Sequence, residues 1–128
     1  MNEKSFSKRL KNEFRKSGWT VIDMEGIGNG VPDCCIIKYN TYALLEFKYG
    51  KKEAEEQLTK HQVSWFKKNG MNTRVFIVSE YKRKKYKIIK INRRFPIFCS
   101  SLNEIINAFA EGIHINDQVY SLWETVFE

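Results

Sequence analysis

Two short apolar runs on either side of a turn signal constrain this chain more than any other feature. Cys34-Cys35-Ile36-Ile37 and Ala43-Leu44-Leu45 flank Tyr39-Asn40-Thr41, which predicts two antiparallel strands joined by a tight turn with asparagine as the turn former. If Tyr39-Asn40 is the loop, Lys38 faces Thr41, and counting down the ladder sets Asp33 opposite Glu46. Directly opposed residues in an antiparallel pair share a face, with Cβ atoms roughly 5 Å apart. Lys48, two positions beyond Glu46, points to that face as well, because side chains alternate along a strand. Charged groups are thus predicted to converge at the open end of the hairpin, and a slip of one residue would send one partner to the other face.

Such a cluster needs an electrostatic reason. The stretch Ala43-Leu44-Leu45-Glu46-Phe47 is apolar on both sides of its carboxylate, the pattern of a strand covered on both faces. Two facing carboxylates in a partly desolvated place repel and hold a proton unless a cation joins them. A hard divalent ion such as Mg²⁺, which takes carboxylate, carbonyl and water oxygens, fits that need. The alternative is a buried ion pair without chemistry, since perturbed charges cluster at functional sites but are not confined to them.

The flanking segments read as follows. Phe6, Leu10 and Phe14 recur at helical spacing, so a helix is expected over 3–16, ended by Ser17-Gly18. Glu13 falls on the flank of that apolar stripe, either aimed at the sheet or one more exposed helical glutamate. Residues 19–24 read as a first strand, and Gly26, Gly28 and Gly30 connect it to Pro32. A dinucleotide-binding loop would be followed by a helix, whereas here a strand follows. The glycines are expected to let backbone come close to a phosphate or a metal-bound water. After Lys48 comes a polar surface segment whose Lys51 and Lys52 could grip phosphate or simply be solvated. Thr59 is expected to cap a helix to residue 69, ended by Gly70. That helix carries Gln62 on an apolar stripe, either orienting an attacking water or phosphate oxygen, or acting as a satisfied core amide.

Residues 74–78 read as a central strand. Beyond it the chain turns basic, with Lys82, Arg83, Lys84, Lys85, Lys87, Lys90, Arg93 and Arg94 interleaved with Tyr81 and Tyr86. With a strand expected over 84–91, this predicts a basic ribbon lying on a duplex, as against lysines that guard a sheet edge. Ser101-Leu102-Asn103-Glu104 is a capping box ahead of a helix, and helical spacing recurs from Val119 to Phe127. These C-terminal helices are expected either to cover the sheet or to pair two subunits. His61 and His114 are isolated and have no metal-ligand spacing or triad logic.

Gly30-Val31-Pro32-Asp33 and Glu46-Phe47-Lys48, in that order and separated by a hairpin, resemble the two defining motifs of the PD-(D/E)XK nuclease superfamily. More narrowly the chain resembles the VRR-NUC family and related phage-type resolvases, whose pattern is a helix with a glutamate, G-x-P-D, E-x-K, and a helix with a glutamine. The matching positions are Glu13, Gly30 to Asp33, Glu46 to Lys48, and Gln62, within roughly residues 5–80. The resemblance implies a restriction-endonuclease-like α/β core, α-β-β-β-α-β with a mixed central sheet, here extended by the basic ribbon and C-terminal helices. It implies a magnesium-dependent endonuclease in which Asp33, Glu46 and the Phe47 carbonyl hold Mg²⁺ or Mn²⁺, with Glu13 helping through water. Lys48 would orient or stabilise the attacking hydroxide, leaving a 5′-phosphate and a 3′-hydroxyl.

Composition bears on the partner. The chain has 128 residues, expected to form one domain, with 22 Lys and Arg against 15 Asp and Glu, a net charge of +7. That surplus is the electrostatic footprint of a protein that meets nucleic acid. The charged N-terminal stretch does not resemble a signal peptide and no apolar run approaches the ~20 residues of a membrane span, so a cytoplasmic protein is expected, in a host cell if the source is viral. Three cysteines make neither a disulfide framework nor a zinc spacing. A short chain with no separate specificity domain favours recognition of DNA shape, and the resemblance extends to Holliday-junction resolvases, homodimers because two symmetric cuts need two sites. The other classes carried forward are a sequence-specific restriction-like nuclease and a non-catalytic nucleic-acid-binding or assembly protein that keeps the fold.

Overall fold

The computed structural model describes residues 2–39, 41–54, 57–69, 74–90 and 96–111. The first helix, α1 (Glu3–Lys16), starts where the Asn2 side chain accepts the Ser5 N–H at 2.9 Å, and it buries Phe6, Leu10 and Phe14 completely. Gly18, at φ +90°, then reverses the chain into the sheet. Strands β1 (Thr20–Asp23), β2 (Cys34–Lys38) and β3 (Thr41–Tyr49) follow, then α2 (Lys60–Asn69) and β4 (Val75–Lys82). This is the α-β-β-β-α-β order expected from the sequence.

The chain continues into β5 (Lys85–Lys90), β6 (Ile97–Cys99) and α3 (Leu102–Ala110). The sheet has six strands in sequence order, β1-β2-β3-β4-β5-β6. All pairs are antiparallel except β3–β4, which are parallel with α2 as the crossover. A parallel pair cannot be closed by a tight turn, so the polar segment and helix between them are a topological necessity.

Two layers cover the sheet. On one face α1 and α3 enclose an aromatic core, with Phe109 against Phe14 and Phe76 at ring distances of 5.7 and 4.9 Å. On the other, Phe66 of α2 packs with Ala54, Val75, Ile77 and Ile89. The C-terminal helix α3 therefore covers the sheet, and its capping box forms as expected, with Ser101 Oγ accepting the Glu104 N–H at 3.1 Å. The second C-terminal helix, expected from Val119 to Phe127, lies outside the described residues, as do Gly70, Arg93, Arg94 and His114.

The basic ribbon needs correction. β5 is an interior strand, hydrogen-bonded to β4 and β6, and Tyr86, Lys87, Ile88 and Ile89 are all buried. Apolar residues on both faces of that stretch give it more to gain from the core than from a nucleic-acid surface. Among the described residues of this segment, the exposed ones are Lys82, Arg83, Lys84 and Lys85 of the turn. The short strand β6 is not foretold by any alternation in the sequence. Among the described residues no helix is long and apolar enough to cross a membrane.

Candidate active site

The β2–β3 register is the one counted from the sequence: Lys38 pairs with Thr41 and Cys34 with Leu45. The next step brings Asp33 and Glu46 together. Tyr39 begins the turn at φ 54°, the left-handed conformation that matches strand twist in a two-residue loop. Past the last rung, Asp33 Oδ2 accepts the Phe47 N–H at 2.8 Å. The Leu44 and Gly50 N–H groups bond across to Arg74 and Glu80 of the β4 side, so by alternation the Phe47 carbonyl faces the side where β2 has ended. Extending the register, the residue opposite Phe47 is Pro32, which has no N–H to offer that carbonyl. The Pro-Asp pair thus opens one end of the ladder: aspartate takes the amide and proline leaves the oxygen available.

Glu46 and Lys48 are only 2% and 5% exposed. Lys48 Nζ lies 3.5 Å from Glu46 Oε2 and donates to Gln62 Oε1 at 3.1 Å. Gln62 Nε2 donates in turn to Glu46 Oε2 at 2.9 Å. The reason Gln62 reaches the sheet is local. Thr59-x-x-Gln62 is itself a capping box: Thr59 Oγ1 accepts the Gln62 N–H at 3.2 Å and Gln62 Oε1 accepts the Thr59 N–H at 2.9 Å. The start of α2 therefore fixes the amide that bridges acid and lysine. Gly30 brings that helix end close. A Cβ there would stand 2.1 Å from the His61 carbonyl oxygen, and φ is +80°. The close backbone approach expected of this glycine is made here with the backbone of α2.

The electrostatics is that of a site short of positive charge. Burial, then the adjacent Asp33, push the Glu46 carboxyl up to about 8, with Lys48 opposing. Burial also raises Asp33, against the Phe47 hydrogen bond. Glu46 Oε1 is buried without any hydrogen-bond donor. A divalent cation would answer both conditions, and the donor set is all oxygen, as a hard ion requires. Among the described residues no group of three His, Cys, Asp or Glu side chains converges closely enough to hold an ion. The oxygens gathered at this end of the ladder are those of the Asp33 and Glu46 carboxylates and the Phe47 carbonyl.

Glu13 is not brought to this group. It sits within an ion-pair distance of Lys16, at 3.6 Å. The glutamate of α1 that does feel the site is Glu3, within electrostatic reach of Lys48, Asp33 and Glu46. Ten residues of helix separate the two, about 15 Å along the axis. The apolar stripe fixes which side of α1 faces the sheet but not which end meets the hairpin. The signal for Glu3 is its place in the first turn after the Asn2 cap. Lys51, Lys82 and Arg83 meet past the end of β3, around a cavity of about 250 Å³ beside Tyr49 and Glu80. Lys84 joins Arg83 and Arg9 around a neighbouring cavity of about 420 Å³. Glu80 organises this end, accepting from Arg9 at 3.1 Å and from the Lys84 N–H at 3.0 Å. Lys52 and Lys85 are exposed.

No family model matches the chain, and no curated protein matches it. Among solved structures it is similar to Hjc, a Holliday junction resolvase from the archaeal hyperthermophile Archaeoglobus fulgidus, at 22% identity and a TM-score of 0.48, over 67% of this chain and 73% of that one.

Proposed function

We propose that this chain is a metal-dependent endonuclease that hydrolyses DNA phosphodiesters, with branched or junction DNA as its preferred substrate. The observation that carries the reading is the meeting of Asp33 and Glu46 beside the Phe47 carbonyl, with a buried Glu46 oxygen lacking any donor and Lys48 held alongside. Asp33, Glu46 and the Phe47 carbonyl would hold Mg²⁺ or Mn²⁺. Such an ion supplies positive charge that polarises a phosphate and acidifies water.

The chain's own residues do the rest. Lys48, pinned between Glu46 Oε2 and Gln62 Oε1, presents its ammonium to the attacking water and to charge developing on the phosphate. Gln62 holds that ammonium in place through the α2 capping box. The cations at the ends of β3 and β4 would meet phosphate oxygens, which position a strand without reading bases. That favours recognition of DNA shape, and paired cuts at a junction would call for two copies of the chain.

The test is cleavage of end-labelled single-stranded, duplex, flapped and four-way-junction DNA in Mg²⁺, Mn²⁺ or EDTA. Wild type is expected to cut only with metal, and Asp33→Ala and Lys48→Ala to lose roughly a thousandfold or more in rate. Salt-sensitive binding without cleavage of any substrate would replace this reading with that of a non-catalytic DNA-binding protein.

A further inference from the structure

The same face of the sheet carries a second polar row beside the acidic pair. Lys48 pairs with Ser79 in the parallel β3–β4 ladder, and Ser79 pairs with Lys87 in the antiparallel β4–β5 ladder. Paired residues share a face, so these side chains stand side by side across adjacent strands about 4.8 Å apart. Ser79 is fully buried, and its hydroxyl has no hydrogen-bond partner. Lys87 is 7% exposed. Its ammonium is held by the carboxylate of Glu53, a side chain 61% exposed.

A buried hydroxyl without a partner is costly, and a buried lysine facing it needs an anion. In the free protein Glu53 fills that need from the rim. Being mostly solvated, the Glu53 side chain can swing out while its neighbour Ala54 stays buried in the core. We propose that Ser79 and Lys87 form a phosphate subsite next to the proposed catalytic group, taking a neighbouring phosphodiester of a bound nucleic-acid strand, with Glu53 as the internal anion that the strand displaces. The subsite rests on the nuclease reading for its location. It gives a role to the buried lysine and the buried serine of two interior strands.

The experiment is equilibrium binding of labelled single-stranded and duplex DNA to the full chain in EDTA, over a potassium chloride series, with Tm measured for every variant. Ser79→Ala removes only an unpartnered hydroxyl, so it is expected to keep Tm at or above wild type while weakening binding several-fold. Lys87→Met is expected to weaken binding roughly tenfold and to reduce the log–log salt slope by about one. Glu53→Gln is expected to tighten binding several-fold, and the gain should vanish in the Glu53→Gln/Lys87→Met double variant. If Glu53→Gln tightens binding equally with and without Lys87, the effect is one of net charge and the proposal falls. It also falls if Ser79→Ala binds as wild type does, or if the wild type binds no DNA. Because no metal is present, these effects in a protein that never cleaves would retain the subsite and overturn only the nuclease reading.

Discussion

The two faces of the sheet part company at the same strand ends. On the α1 and α3 side, Phe47 and Val78 are fully buried and Tyr86 nearly so, stacked on Phe6 at 5.8 Å. One residue away on the α2 side stand Glu46, Lys48, Ser79 and Lys87, all buried as well. The pleat alone separates the two sets. At these strand ends the α1 and α3 side is mainly aromatic, with Glu80 as a buried charge held by Arg9, whereas the α2 side is mainly polar.

The comparison breaks most visibly on the aromatic side. Phe76→Ala, which removes a ring packed against Phe109 at 4.9 Å, is expected to lower unfolding stability by about 3–5 kcal/mol in urea melts. Its residual activity per folded molecule should change far less than that of Lys48→Ala.

The next effect sharpens the polar side and concerns pH. The Glu46 carboxyl is raised from 4.5 to about 8, so between those values the folded state binds more protons than the unfolded one. Its contribution to stability is present below 4.5 and is lost as pH rises toward 8, by at most about 5 kcal/mol. Through this group, metal-free protein should therefore melt at a lower temperature at about pH 8.5 than at about pH 5. Glu46→Gln should flatten that slope, and Mg²⁺ should restore stability at high pH in wild type but not in the variant.

The smallest expected effect joins local structure to the site. Gln62→Ala removes half of a capping box together with the bridge between Glu46 and Lys48. A loss of about 1–2 kcal/mol in stability is expected, with a drop in cleavage rate larger than that loss explains. Equal losses would make Gln62 a cap and nothing more.

Much of this is legible in the amino-acid sequence. The helix over 3–16, the hairpin register and the shared face of Asp33, Glu46 and Lys48 follow from periods of 3.6 and 2 and from a loop of fixed length. Gln62 stands out as an amide on an apolar stripe, although the sequence reading makes Thr59 a plain cap rather than half of a reciprocal capping box. What the sequence conceals depends on distance. Glu13 and Glu3 lie on the same helix, and the docking of α1 along the sheet decides between them. Lys87 reads as one more phosphate-seeking lysine of a ribbon, because charge counting does not register the neighbours Ile88 and Ile89 packing into both cores.

By itself the sequence determined the acidic pair and its lysine, since strand alternation and turn length are local and admit one register that keeps the apolar residues inside. Only the tertiary structure decided that Gly30 serves the approach of α2, that Glu3 rather than Glu13 feels the site, and that Ser79 and Lys87 stand in line with Lys48. Those relations join strands and helices far apart in the chain, and they are set by how buried surfaces pack, which no local period encodes.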